Sequence, residues 1–169
     1  MKLKIKLIEP ADIGAMRIMA ADFIEEGAME YPTIDDTEID KAMMLILGCI
    51  GNPDYIQLIA YDGKKPAGFL LAYVTDKPYS RPTRVGVAQE LYVVPEKRAG
   101  MVGLRLMEEA GLIAVSKGAE GFECVGSYNG TDKRWEKFGF KPYLTYGHME
   151  PEKFLAIVQR FTKGRAAAA

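Results

Sequence analysis

Between Val93 and Ala110 the chain reads VVPEKRAGMVGLRLMEEA, and this stretch limits the fold more than any other. An apolar strand stops at Pro95, turns through Arg98, Gly100 and Gly103, and runs directly into an amphipathic helix. Proline cannot donate to a strand ladder, so the strand must end at or before it. Strands delivered into helices by short turns are the units of mixed α/β sheets. A helix N-terminus also carries unpaired backbone N–H groups and about half a positive charge. A glycine turn in front of it lets an anion approach, and Arg98 adds a permanent cation with a planar donor fork. The combination suits a compact polyanion, most simply a pyrophosphate. A tight β–α connection with a solvated arginine accounts for the same residues equally well, and both readings stand at this point.

The rest of the chain supplies the layers around that unit. Lys4 to Ile8 alternates like a strand, and Pro10 opens a helix expected to reach about Glu26. Asp35 or Asp36 caps a second helix through EIDKAMMLILGCI, stopped by Gly51 and Pro53. Two strands flank Asp62-Gly63, a strong hairpin signal. A long strand from Arg84 to Val94 follows, with Val85, Val87, Leu91 and Val93 on one face and Gly86, Ala88, Glu90 and Tyr92 on the other. The helix after Gly103 presents Leu104, Met107, Gly111 and Ala114, widened by Leu106, Ala110 and Ile113. AEGFECVG reads as the next strand, GTDKRWEKF as a short helix, and PEKFLAIVQRF as a last helix after terminal strands. No repeat or long linker divides the chain. One domain over residues 1–163 is expected, and KGRAAAA makes 164–169 an unstructured tail.

Composition narrows the function. The 169 residues are 49% hydrophobic and 27% charged, ordinary for a globular protein. With 22 basic and 23 acidic residues the net charge is -1, which provides no bulk attraction to nucleic acid. No apolar run approaches the ~20 residues of a membrane span, so no membrane association is expected. Cys49 and Cys124 lie apart in apolar segments and read as free thiols of a reducing, cytoplasmic compartment. One histidine and two separated cysteines make a metal site unexpected.

The stretch LYVVPEKRAGMVGLRLM resembles the signature of the Gcn5-related N-acetyltransferase (GNAT) superfamily: a strand ending near Val-x-Pro-Glu, then Arg/Gln-x-x-Gly-x-Gly/Ala opening a helix. RWEKFGFKP, after the next strand, looks like that family's LYEKLGF segment, with Asn129 ahead of it. The element order matches as well, so the resemblance covers nearly the whole chain, and it is similar to members carried by bacteriophages and prophages. It implies an α/β fold with a mixed central sheet of six to seven strands flanked by helices, splayed between the fourth and fifth strands. It implies acetyl-CoA as co-substrate, with backbone groups of Leu91, Tyr92 and Val93 along the pantetheine arm. Arg98, Ala99, Gly100, Met101, Val102 and Gly103 would hold the pyrophosphate, and Asn129 joins the cofactor residues. Two departures stand out: Met101 replaces the first motif glycine, and Trp135 replaces the tyrosine that often serves as general acid.

Direct acetyl transfer to an amine sets two demands. An alkyl ammonium has a pKa near ~10.4, so a base must take a proton; the leaving thiolate, near ~8.5, needs less help. Two carboxylates on the implied strands are candidate bases, Glu90 and Glu123, each equally readable as a surface or ion-paired glutamate. If the thiolate needs a proton donor, Tyr128 and Tyr143 are the nearest substitutes, and each reads equally as half-buried packing. The acidic segment FIEEGAMEYPTIDDTEID would attract a cationic acceptor if it walls the site, or else is a solvated loop. The expected partner is a small-molecule or peptide amine, and the family implies a homodimer. The rival reading is a non-catalytic CoA- or protein-binding module on the same fold; a third keeps the enzyme with another acyl donor.

Overall fold

The Asp62-Gly63 signal forms the hairpin at the centre of the sheet. Strands β2 (Tyr55–Asp62) and β3 (Lys65–Asp76) pair antiparallel across a two-residue connection, with Gly63 at φ +64. That left-handed conformation suits glycine, which has no Cβ to clash. The computed structural model describes residues 3–26, 35–79 and 83–124. All lie in the first of two compact units, Met1–Asp132 and Lys133–Ala169.

The described elements run β1 (Leu3–Leu7), α1 (Ile13–Glu25), α2 (Asp36–Gly48), β2, β3, β4 (Arg84–Val93), α3 (Val102–Ser116) and β5 (Gly121–Cys124). The strands are ordered β1-β2-β3-β4-β5; neighbours are antiparallel up to β4, and β4 and β5 are parallel. Helix α3 is the crossover that parallel pairing requires. The mixed α/β sheet flanked by helices is the expected fold class, with five strands among the described residues. The expected elements after Cys124 lie outside them.

Each face of the sheet carries its own core. On one, Ile56, Leu58, Leu70 and Ala72 pack against Val102, Leu106, Ala110 and Ala114 of α3. On the other, Ile59, Phe69 and Tyr92 meet Met16 and Met19 of α1 and Met43 of α2. Burying one such large side chain contributes about 1.5–3 kcal/mol. The α3 stripe corrects the sequence reading. Val102, Leu106, Ala110 and Ala114 are its buried centre, whereas Leu104, Met107 and Gly111 sit half-buried at its side. The helix starts two residues earlier than expected, so Val102 joins the i, i+4 row.

The first helix also departs from expectation. Its opening Pro10–Asp12 is a 3-10 turn, and the α-helix begins at Ile13. Asp12 accepts the Glu9 N–H at 2.9 Å and the Tyr61 hydroxyl at 2.7 Å, and pairs with Lys6 at 2.9 Å. This buried network ties α1 to β1 and β2. Asp35 caps α2 as expected, its carboxylate accepting from the N–H groups of Thr37 (2.9 Å) and Glu38 (3.1 Å).

The main correction concerns β4. Leu71 pairs with Glu90 and Ala72 with Ala88, so Gln89 is an extra residue bulged out of the ladder. A bulge reverses which face the following side chains occupy. Directly opposed residues share a face, and on that basis Gly86, Ala88, Leu91 and Val93 face α3 while Val85, Val87, Glu90 and Tyr92 face α1 and α2. Unbroken alternation had grouped Leu91 with Val87 and Tyr92 with Gly86. The polar Gln89, in phase with four apolar residues, was the one local sign of the break. Gly86 is needed for close approach: a Cβ there would lie 2.8 Å from the Ala114 Cβ and 2.7 Å from the Phe122 ring.

Candidate active site

The Val94–Met101 turn closes with short-range bonds. Lys97 N–H donates to the Val94 carbonyl (2.9 Å), Arg98 N–H to Pro95 (3.2 Å) and Gly100 N–H to Lys97 (3.0 Å). The first helical bond is Arg105 N–H to Met101 at 2.9 Å. Among the described residues, the N–H groups of Met101, Val102, Gly103 and Leu104 therefore have no backbone acceptor, and no side chain caps the helix. Met101 has φ -94, so glycine is not required there, and the residue is 54% exposed. A Cβ on Gly103 would only reach ordinary contact with Val93 Cγ2 at 3.5 Å. The residues present fit a pyrophosphate: a row of unpaired donors on an open, electropositive helix end.

Arg98 is not a free cation. Its Nε donates to the Val93 carbonyl at 2.8 Å, its guanidinium pairs with Glu26, and it lies 5.5 Å above the Tyr92 ring. Tyr92 is buried against Phe23 and Phe69, and its hydroxyl donates to Glu26 at 3.4 Å. Lys97 anchors the other side of the turn through Asp62 at 2.7 Å. The described ladder between β4 and β5 runs from Val85↔Gly121 to Ala88↔Cys124, and β4 continues five residues beyond it, through Leu91, Tyr92 and Val93.

The bulge at Gln89 sets the position of Glu90. It turns the carboxylate toward the face covered by α1 and α2, where a cleft of about 400 Å³ opens. Helix α2 rests against α1, joined by Arg17 to Asp40 (2.7 Å) and Asp36 (3.0 Å). Burial alone raises the Glu90 pKa above the usual carboxylate value, and among the described residues no cation or hydrogen-bond donor offsets it. Glu123, in register with Val87, lies on the same face, and its carboxylate receives Lys77 Nζ at 2.7 Å. Cys124 is half-buried, its thiol pushed up to about 12 by burial, and Cys49 lines the cleft; both are free. Among the described residues no three His, Cys, Asp or Glu side chains converge as a metal site, and no helix is long and apolar enough to cross a membrane.

Sequence reasoning brought Glu90 and the turn to one end of β4. It missed the cleft, whose walls come from α1, α2 and three strands, and it missed Glu26 as the partner of Arg98. Neither leaves a local pattern, because both depend on how distant elements meet. Asn129, Tyr128, Trp135 and Tyr143 lie outside the described residues.

Comparison with solved structures decides the fold. A predicted acetyltransferase from Clostridium acetobutylicum, crystallised with acetyl-CoA, superimposes with a TM-score of 0.74 at 14% identity, covering 90% of this chain and 98% of that one. A GCN5-related N-acetyltransferase from Ralstonia eutropha gives 0.69 at 16% identity, covering 88% and 99%. This is the GNAT fold. A protein described as a transcriptional regulator, from Bacillus halodurans, superimposes with a TM-score of 0.72 at 16% identity, covering 88% of this chain and 99% of that one. No protein-family model and no curated protein matches the sequence. At these identities the GNAT fold is what the comparison establishes, and chemistry must be argued from the site.

Proposed function

We propose that the protein is an acyl-CoA-dependent N-acyltransferase that moves acetyl from acetyl-CoA to a primary amine by direct transfer. The observation that carries this is the row of N–H groups on Met101, Val102, Gly103 and Leu104 that have no backbone acceptor among the described residues, beside the end of β4 that carries Leu91, Tyr92 and Val93. In this reading Arg98, Ala99 and Gly100 shape the turn around the pyrophosphate, Leu91, Tyr92 and Val93 lie along the pantetheine arm through their backbone, and Asn129 is a further contact. A neighbour of the same fold crystallised with acetyl-CoA supports it.

Glu90 is the general base. It is half-buried, unpaired among the described residues, and its raised pKa brings it closer to neutrality, where a base works best. An ammonium on the acceptor gives one proton to Glu90, directly or through water. The nitrogen lone pair then forms the C–N bond to the thioester carbon, and the C–S bond breaks with its electron pair on sulfur. The second nitrogen proton goes to the thiolate and the Glu90 proton to solvent. The balance is one amide, one thiol and one released proton. Glu123, engaged by Lys77, fits a positioning ion pair better than a base.

The transcriptional regulator of the same fold favours a second reading, a binding module without turnover. Calorimetric titration with acetyl-CoA, followed by thiol release in the presence of amines, separates the two. Micromolar binding with amine-stimulated release supports the enzyme, and binding without release the module. Absence of binding removes both the transferase and the CoA-binding form of the module. The cytoplasmic location and the homodimer are carried as part of this proposal, the dimer to be tested by light scattering.

A further inference from the structure

The cleft beside Glu90 has a composition that selects among amines. Its walls are largely hydrocarbon, with Phe23 from α1, Ile39 and Met43 from α2, and Phe69, Leu71 and Tyr73 from the sheet. A volume of about 400 Å³ falls within the range of small-molecule sites. Its carboxylates are Glu90 on the sheet and Glu38 on an exposed position of α2.

Four of the neighbouring acidic residues are already engaged. Asp35 caps α2, Asp36 and Asp40 hold Arg17, and Glu26 holds Arg98. Those four carboxylates of the acidic segment are thus internal wiring. A single ammonium can settle on Glu90 with its body against hydrocarbon. A second cation on the same ligand would find only Glu38, on an exposed position where solvent screens the pair, or be driven into the apolar walls, which is costly.

We infer that the acceptor is a monoamine on a hydrocarbon body, an aromatic ring or a branched chain, seated between α1, α2 and β2–β4 with its nitrogen on Glu90. The inference rests on the N-acyltransferase reading for its chemistry, while the binding preference stands on the cleft alone.

The test titrates phenethylamine, isopentylamine and spermidine into the CoA-saturated protein by calorimetry, with thiol release from acetyl-CoA measured in parallel. The apolar monoamines are expected to bind at least about tenfold more tightly than spermidine and to be the better acceptors. Ala42 lines the cleft from an exposed position on α2, so Ala42→Trp fills it with little effect on the core. It should weaken phenethylamine binding at least about tenfold with the melting temperature unchanged, and Glu90→Gln should weaken it independently. Spermidine binding as tightly as phenethylamine, or phenethylamine binding untouched by both substitutions, overturns the inference. Failure of the transferase reading is distinguishable: acetyl-CoA then neither binds nor releases thiol, and the amine titrations, run without it, still decide the preference of the cleft.

Discussion

Arg98 and Glu26 form an ion pair that joins the phosphate-turn candidate to the end of α1, with the guanidinium stacked above Tyr92. The arginine that sequence reading assigned to an anion is therefore held by a carboxylate of the chain itself. Glu26→Gln should release it. Partly exposed pairs contribute at most about 1 kcal/mol to stability, so the melting temperature should move little. Acetyl-CoA affinity should rise by a factor of about 3–10, and more steeply at low salt. Titration at two ionic strengths checks this; unchanged affinity would assign Arg98 a purely structural role.

Gly103→Asp separates cofactor binding from folding. A Cβ there meets only ordinary contacts, and a carboxylate in the first turn of α3 favours the helix dipole. The variant should fold with equal or slightly higher stability. Its charge would sit where the pyrophosphate is proposed to lie, so acetyl-CoA binding should fall more than about tenfold. Calorimetry paired with thermal unfolding tests both halves.

Glu90→Gln should trade activity for stability. Because burial raises its pKa, the folded state prefers the protonated form, so the ionised carboxylate costs stability at neutral pH. The glutamine variant should melt higher at pH 7. That gain should shrink as pH falls through the raised folded value and vanish below the ordinary carboxylate range, where Glu90 is protonated in both states. Turnover should drop by about 10²–10⁴, and the rising limb of the pH–rate profile, set by a raised carboxyl pKa, should disappear. Stability curves and kcat against pH measure the two effects separately.

Gly86→Ala tests the face assignment of β4. With α3 packed over Gly86, the added methyl has to displace Ala114 and the Phe122 ring, at a cost of about 1–3 kcal/mol. A neutral result in chemical denaturation would mean that the face is not packed as described.

Asp12→Asn should loosen the corner between β1, α1 and β2, by on the order of 1 kcal/mol. Burial pulls the Asp12 carboxyl up, but hydrogen bonds from Lys6, the Glu9 backbone and Tyr61 bring it below the usual range. A lowered folded pKa gives stability that is present above the ordinary carboxylate pKa and lost as pH falls through the folded value. The difference between wild type and variant in urea melts should therefore be full near neutrality and vanish in strong acid.

The parts of this molecule legible in sequence are those governed by neighbours along the chain. Asp35 as a cap, Gly63 in a hairpin and the strand–turn–helix from Arg84 to Ser116 follow from local donors, dihedral limits and periodicity. The site was half legible. The turn declared itself through its glycines and Arg98, while the surroundings of Glu90 did not, because desolvation there comes from how α1 and α2 meet the sheet.

Sequence by itself determined the order of the described elements, the open head of α3 and the presence of a carboxylate near the end of β4, since each is set over a few residues of chain. Tertiary structure alone decided that Gln89 bulges and turns Glu90 toward the cleft, that Glu26 occupies Arg98, and that Lys77 occupies Glu123. The physical reason is that side-chain period and capping act over one turn or one pleat. Register against a neighbouring strand and the pairing of charges 72 or 46 residues apart act only once the chain has closed on itself.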